Sequence, residues 1–477
     1  MANNKESQKN TSMTISIVLF FMILGIGSIV SFIMPLRPKV SEVEKRELTA
    51  FPTFTVSGFL NGHYMSGVGL WYSDSFPGRE YMISADDNIK KYYGLNDGPK
   101  VVGTSYEADE IPDFEDPYDV ANNSSPSEQD VNDTEDSSYI EPNPDDLISS
   151  EDIVVDEDYT QDENYSDAEA PNSKAMEAEI KQYINRNLYV KDGAAHSLYY
   201  FSNKAATRYT GIIEKCAEEL DGKANVYNIL VANSSGVMLP EDELAALGGS
   251  NQADAIHYYY SLYNKATGIE SVDILRQHND EYLYFRTDHH WTALGAYYVY
   301  RNYCKAKGWE PHELDYYTKM TFSPFLGSYY STLKDPAMAA NPDYVEAFIP
   351  KGTNKLTYYS KGGKETEYDV IHDVTNWSEY TKYNCFIGGD QPMQKIENPV
   401  LWRKTSSCLV IKESYGNCFV PFLVDHYHTV YVMDYRYCNE DVLDFVDKHG
   451  IDDVIVINNI SIIGSGGVMS KLEKMLN

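Results

Sequence analysis

Three short apolar runs near the C-terminus constrain this chain most: residues 408–412, 429–433 and 453–457. Each is rich in Val, Ile and Leu, and stretches with helical spacing, 417–426 and 439–449, separate them. Runs of this length without polar alternation read as strands covered on both faces. Parallel neighbours need a crossover and a helix supplies one, so the β-α-β-α-β order predicts a parallel sheet with helices on both faces.

Upstream, the pattern is less regular. Residues 226–231 read as a buried strand, 254–266 as a helix, and 272–275 and 282–285 as short strands. A helix is expected over 292–307, with Thr292 as N-cap and Gly308 as its stop. Helical spacing from Ala175 to about Leu220 predicts helix there. Leu356–Tyr359 and Tyr368–Ile371 fit a hairpin joined through Gly362 and Gly363. Aromatic residues between Tyr64 and Tyr93 suggest helices packing on a core.

The formal charge of −33 belongs mostly to one tract. Residues 106–170 hold 24 Asp or Glu and no Lys or Arg, and taking them away leaves −9. Such composition buries too little apolar surface to offset ordering entropy, so 104–172 is expected to be a disordered, solvated insert. Cation binding by its carboxylates is the sharper alternative, although the EF-hand loop with its central Gly is absent. No basic patch stands out, which argues against nucleic acid as a partner. Six Cys without a Cys-x-x-Cys pair argue against a disulfide framework or a zinc cluster.

Residues 13–34 carry no charge and no Pro over 22 positions, about 33 Å of helix and enough to cross a bilayer core. The run is longer than a signal-peptide core, and Met34-Pro35-Leu36-Arg37 offers no small-residue cleavage site. A single-pass anchor follows. Lys5 and Lys9 before it are outnumbered by Arg37, Lys39, Lys45 and Arg46 after it, so the charges do not favour an inside N-terminus. An outside position for the bulk of the chain rests on the short leading tail and the long remainder. The expected organisation is a cytoplasmic tail (1–12), an anchor in the cell membrane (13–34), a juxtamembrane and N-terminal part of the exported domain (35–103), the insert (104–172) and the main domain (173–477).

Ligands of open α/β sheets bind at the carboxyl ends of the strands. Two segments sit at predicted strand ends: Arg286-Thr-Asp288-His289-His290-Trp291-Thr292 and Lys412-Glu413-Ser414-Tyr415-Gly416-Asn417. A Ser hydroxyl needs a base to become a nucleophile, and a His base needs a carboxylate on its other ring nitrogen. Asp288 and His290 stand two residues apart, so an extended segment turns both one way and His289 elsewhere. That spacing nominates Ser414 as nucleophile, His290 as base and Asp288 as its orienting carboxylate. Capping and core-packing roles for the same residues remain open, as does a metal on Asp288, His289 and His290, for which no further ligand group is evident.

The motif Thr287-Asp-His-His-Trp291-Thr resembles the name-giving motif of the DHHW family of bacterial exported proteins, which are similar to the SGNH-hydrolase-like domains of alginate O-acetyltransferases. Further blocks resemble the family in order: Ser41-x-x-Glu44-x-Arg46-x-Leu48, Phe76-Pro-Gly-Arg79, Gly327-Ser-Tyr-Tyr330, Lys412-Glu-Ser-Tyr415 with Asn417-Cys-Phe-Val-Pro421, and Met433-Asp-Tyr-Arg436. The resemblance implies a flavodoxin-like sheet in permuted order and a triad of Asp288, His290 and Ser414. It makes Arg436 a substrate or intermediate contact. Ser414 follows Lys412-Glu413 rather than Gly-Asp, and no Gly-x-Asn-Asp block is present; Asn459 is the candidate replacement for that Asn. Asn417 either donates to an oxyanion or caps its helix, and Trp291 either packs under the loop or stacks on a sugar.

The implied function is O-acyl transfer, acetyl by resemblance, on a cell-surface or secreted polysaccharide, without a cofactor or metal. A polytopic membrane-bound O-acyltransferase is the implied partner. An acetyl-polysaccharide esterase and a non-catalytic glycan-binding or scaffold protein of the envelope are the competing readings.

Overall fold

The computed structural model describes residues 99–103, 108–118, 187–360, 364–402 and 405–476 of one unit, and scattered positions between 40 and 75 of another. In the smaller unit, β1 (Val40–Ser41) and β2 (Arg46–Glu47) pair antiparallel. Trp71 is buried there and meets Phe51 edge-on at 4.7 Å. The expected anchor at 13–34 lies outside the described residues; among those described, no helix is long and apolar enough to cross a membrane.

The larger unit opens with a small antiparallel sheet of β3 (Lys100–Gly103), β4 (Asn187–Lys191) and β5 (Ala194–Ser197). Asp192 and Gly193 take positive φ and make the β4–β5 turn. This hairpin occupies sequence expected to be helical; helix begins only at Asn203, where Ser202 caps helix Asn203–Glu219. All of β4 except Lys191 is buried while β5 alternates, and pairing of the two strands within the sheet overrides the helical spacing.

The core sheet follows. Its strands are β6 (Asn225–Val231), β7 (Thr267–Gly268), β10 (Lys355–Tyr359), β11 (Glu365–Asp369), β12 (Met393–Glu397), β13 (Ser407–Lys412), β14 (Thr429–Asp434) and β15 (Asp453–Asn459). A separate antiparallel pair, β8 (Thr318–Phe325) and β9 (Asp343–Ile349), lies between them in sequence. Across the core sheet the order is β11-β10-β12-β14-β13-β15-β6-β7. From β14 to β7 all neighbours are parallel, whereas β12, β10 and β11 extend the sheet antiparallel. The architecture is therefore α/β with a large mixed sheet, where a purely parallel one was expected. β12 causes the difference: it pairs antiparallel with β14 and carries the 355–369 hairpin on its other edge. Every residue of β13 and β15 is buried, as expected of strands covered on both faces.

Three further segments depart from expectation. Residues 272–275 lie in helix Val272–Gln277, not in a strand, because the Glu270 carboxylate accepts from the Asp273 and Ile274 N–H groups and starts a helix. Residues 282–285 contribute one isolated bridge, Tyr284 to Trp291, rather than a strand. The crossover after β13 consists of two 3₁₀ turns, Ser414–Cys418 and Val420–Leu423. Pro421 has no N–H to continue an α-helix, and at Gly416 a Cβ would stand 2.6 Å from Lys412 Cβ.

Helix Ala293–Lys307 starts and stops where expected, with Thr292 accepting from the Gly295 N–H and Gly308 in the left-handed conformation. Part of the acidic tract also corrects the expectation. Residues 108–118 pack on the domain: the Asp109 N–H bonds Phe201 O, Phe114 meets Tyr258, and Tyr118 bonds Gly268 O. Ile111, Phe114 and Tyr118 of that stretch pack against the core. All six Cys are buried and free.

Candidate active site

The Asp288–Trp291 loop is fixed before helix Ala293–Lys307 begins. Asp343, on β9 and 1% exposed, accepts from the Thr287 N–H and Oγ1 at 2.7 Å each and from Arg286 Nε at 3.0 Å. From the other side, the Ser328 N–H donates to Asp288 Oδ2 at 2.7 Å, and Ser328 Oγ meets His289 Nδ1 at 2.7 Å. A Cβ on Gly327 would lie 2.1 Å from Asp288 Cβ, so no side chain fits there. The Gly327-Ser-Tyr-Tyr330 block thus holds the carboxylate from below, a role that its composition did not disclose.

His290 bridges the two segments. Its Nδ1 lies 2.6 Å from Asp288 Oδ1 and its Nε2 lies 2.8 Å from Ser414 Oγ. With the Nδ1 proton directed at the carboxylate, Nε2 is left to accept the Ser414 hydroxyl proton. Tyr383 stacks on the imidazole at 4.0 Å and 15°, and its OH donates to Ser414 O at 3.0 Å. Burial pushes the Asp288 carboxyl up, but the His290 and His289 charges and the hydrogen bonds outweigh it and hold the group well below the usual carboxylate range. Burial and the adjoining His290 charge push His289 down to about 3, so it is neutral at ordinary pH.

Trp291 is fully buried, and its Nε1 donates to Tyr415 O at 2.8 Å. It packs under the loop and ties the His-bearing segment to the turn that carries Ser414. Asp288, His289 and His290 each offer a metal-ligand atom within 4.8 Å of the others. Both Asp288 oxygens and both His290 nitrogens are already hydrogen-bonded, so this donor set is committed within the protein.

The remaining candidates lie nearby. Asn417 does not cap its turn; Glu413 does, by accepting from the Tyr415 N–H. Asn417 Nδ2 instead donates to Asp390 at 3.0 Å. Asn459 Oδ1 caps the turn Ile460–Gly464, while its Nδ2 donates to Asn233. Arg436 grips Asp434 through Nε and Nη2 at 2.8 and 2.6 Å and pairs with Asp390 at 2.7 Å. Lys412, fully buried, joins both Asp390 and Asp434 at 3.0 and 3.2 Å. This quartet of two cations and two anions occupies the ends of β13 and β14. Sequence reasoning passed over Asp390, which sits after Ile387, Gly388 and Gly389, three positive-φ residues in a loop without periodic signal.

Glu413 is also completely buried. Its Oε1 accepts from the Asn459 N–H at 2.8 Å, and its Oε2 stands 3.2 Å from Ser414 Oγ. Burial raises its pKa, against the opposing pull of Arg436.

The result is an α/β protein with parallel strands at the centre of its sheet and a Ser–His–Asp hydrogen-bonded line at their carboxyl ends, in which Asp and His precede Ser in the chain. The chain belongs to the DHHW protein family, whose model matches residues 44–433. A DHHW family protein from Eubacterium siraeum is 27% identical over 60% of this chain and 94% of its own, with a TM-score of 0.54. PatB1 of Bacillus cereus is 20% identical over 59% of this chain and 98% of its own, with a TM-score of 0.50, and shares the fold. The O-acetyltransferase domain of Pseudomonas putida AlgJ aligns over 60% of this chain at 12% identity and a TM-score of 0.32, too low to carry an argument. No curated protein matches the chain.

Proposed function

We propose that this chain is a serine acyl-transfer enzyme that O-acetylates a cell-surface or secreted polysaccharide, held in the membrane by residues 13–34. One observation carries the reading: His290 stands between Asp288 and Ser414 within hydrogen-bond distance of both, at 2.6 and 2.8 Å. Ser414 Oγ attacks the carbonyl carbon of an acyl donor while its proton passes to His290 Nε2. The donor's carbon–oxygen bond breaks, that proton goes to the leaving oxygen, and an acyl-Ser414 ester remains. A sugar hydroxyl then gives its proton to His290 and attacks the ester carbonyl, the acyl–Ser414 bond breaks, and His290 returns the proton to Ser414 Oγ. Asp288 stabilises the imidazolium in both halves. A polytopic membrane O-acyltransferase would supply the acyl group from the other side of the membrane.

If water rather than a sugar hydroxyl enters, the same site is an esterase. A non-catalytic, glycan-binding reading draws support from Glu413, whose carboxylate also lies within reach of the Ser414 hydroxyl. A fluorophosphonate probe separates these readings. Labelling that vanishes in Ser414→Ala and falls sharply in His290→Ala supports the enzyme, and no labelling of folded protein supports the binding role. Partition of an acetyl ester between an oligosaccharide and water then distinguishes transferase from esterase.

A further inference from the structure

A second group of titratable side chains lies where residues 108–118 cross the domain. His257, on helix Gln252–Ser261, is 5% exposed. Its Nδ1 is 2.9 Å from Asp116 Oδ2. Its Nε2 is buried without a hydrogen-bond partner and faces Asp273 Oδ2 at 3.6 Å. Glu270 completes the group: one ligand atom from each of His257, Glu270 and Asp273 lies within 4.8 Å of the other two.

The distances suit an ion better than they suit the side chains alone. At 3.6 Å, Nε2 and Oδ2 are too far apart for a hydrogen bond. Two ligand atoms at about 2.1 Å from a shared divalent ion stand roughly 3 to 3.5 Å apart. Glu270 Oε1 accepts a single bond, from the Asp273 N–H at 2.5 Å, and keeps a lone pair. Asp116 does for His257 what an outer carboxylate does for a metal-bound imidazole: it takes the Nδ1 proton and leaves the Nε2 lone pair directed at the ion. Asp116 is itself held by the Tyr118 N–H at 2.9 Å, and the Tyr118 ring lies 5.1 Å from the imidazole. The Asp273 side chain is 45% exposed, which gives a way in from solvent.

We propose that His257, Glu270 and Asp273 bind a divalent transition ion such as Zn²⁺, with Asp116 as its outer carboxylate. One imidazole and two carboxylates form a borderline-to-hard donor set that zinc and manganese both accept. Bound there, the ion draws His257 and thereby Asp116 into one assembly, clamping the 108–118 segment onto the helices that carry the ligands. The site shares no residue with the Ser414 line and stands independently of the proposed acyl transfer.

The test uses the full chain, stripped with a chelator and dialysed. Equilibration with Zn²⁺ or Mn²⁺ alone should leave one ion per chain by elemental analysis and raise the melting temperature by several degrees. Asp273→Asn, at a half-exposed position, should melt like the stripped wild type and lose both the retained ion and the shift. Asp116→Asn should weaken binding about 10- to 100-fold. Equal ion uptake and an equal shift in wild type and Asp273→Asn would overturn the site. So would an absence of uptake together with an imidazolium signal from His257 by NMR, which makes the cluster an ion pair only.

Discussion

Two polar groups, buried except for a part-exposed Asp390, meet at the carboxyl ends of β13 and β14, and they are built on opposite plans. The Asp390–Lys412–Asp434–Arg436 quartet is closed, since each charge faces an opposite charge and no proton has anywhere to go. The Asp288–His290–Ser414 line is open: it runs from a carboxylate through the imidazole to the Ser414 hydroxyl, which also stands within reach of Glu413. The quartet secures the strand ends on which Ser414 stands, and the line retains a proton that can move. Damage should separate along the same division, with the quartet costing stability and the line costing turnover.

The largest effect is expected from Ser414→Ala, which should lower acyl transfer about 10⁵- to 10⁶-fold in a steady-state assay with an acetyl ester while the melting temperature stays close to wild type. Asp288→Asn should follow at about 10³- to 10⁴-fold, because the amide no longer holds the Nδ1 proton toward it. Retention of most activity in Asp288→Asn would break the line as drawn.

Asp434→Ala should leave turnover per folded molecule largely intact but cost about 3–5 kcal/mol in denaturant unfolding, because Arg436 and Lys412 then lose a buried counter-charge. Trp291→Phe, which removes the bond to Tyr415 O and leaves a small void, should cost about 1–3 kcal/mol and show whether the loop and the nucleophile's turn move together.

The smallest effect is one of pH. Folded His289 titrates near 3, below its unfolded value of about 6.5. Between those values the unfolded chain binds the extra proton, so His289 contributes stability in full above the unfolded value and loses it as pH falls toward 3. His289→Gln should flatten the melting-temperature profile from about pH 6.5 down to 4.

The open line was legible in the sequence and the closed quartet was not, for a physical reason. Asp288 and His290 are two residues apart, and Ser414 comes two residues after an unmistakable buried strand, so local spacing and strand order bring them to one sheet end. The quartet unites Lys412 and Asp434 on neighbouring strands with Asp390 from a loop whose backbone is set by positive-φ residues. Charge in a sequence carries no mark of its partner. The parallel strands were likewise readable from their apolar runs, whereas β4 and β5 resemble helical spacing, and β10 acquires its place only by pairing with β12. Helix Val272–Gln277 was hidden because its start signal is Glu270, a carboxylate reaching forward rather than an ordinary cap at Ser271.

The position of β15 sets an order of events during synthesis. It lies between β13 and β6, yet among the described strands it is made after both. Until residues 453–459 leave the ribosome, the edges of β6 and β13 that they join stay apart, and Val454 to Ile457 have no partners. Ser414 is made 124 residues after His290 and still stands on an unfinished sheet. A nascent chain cut before residue 453 therefore has Asp288, His290 and Ser414 without the strand that joins β13 to β6, and the sheet waits for residues 453–459.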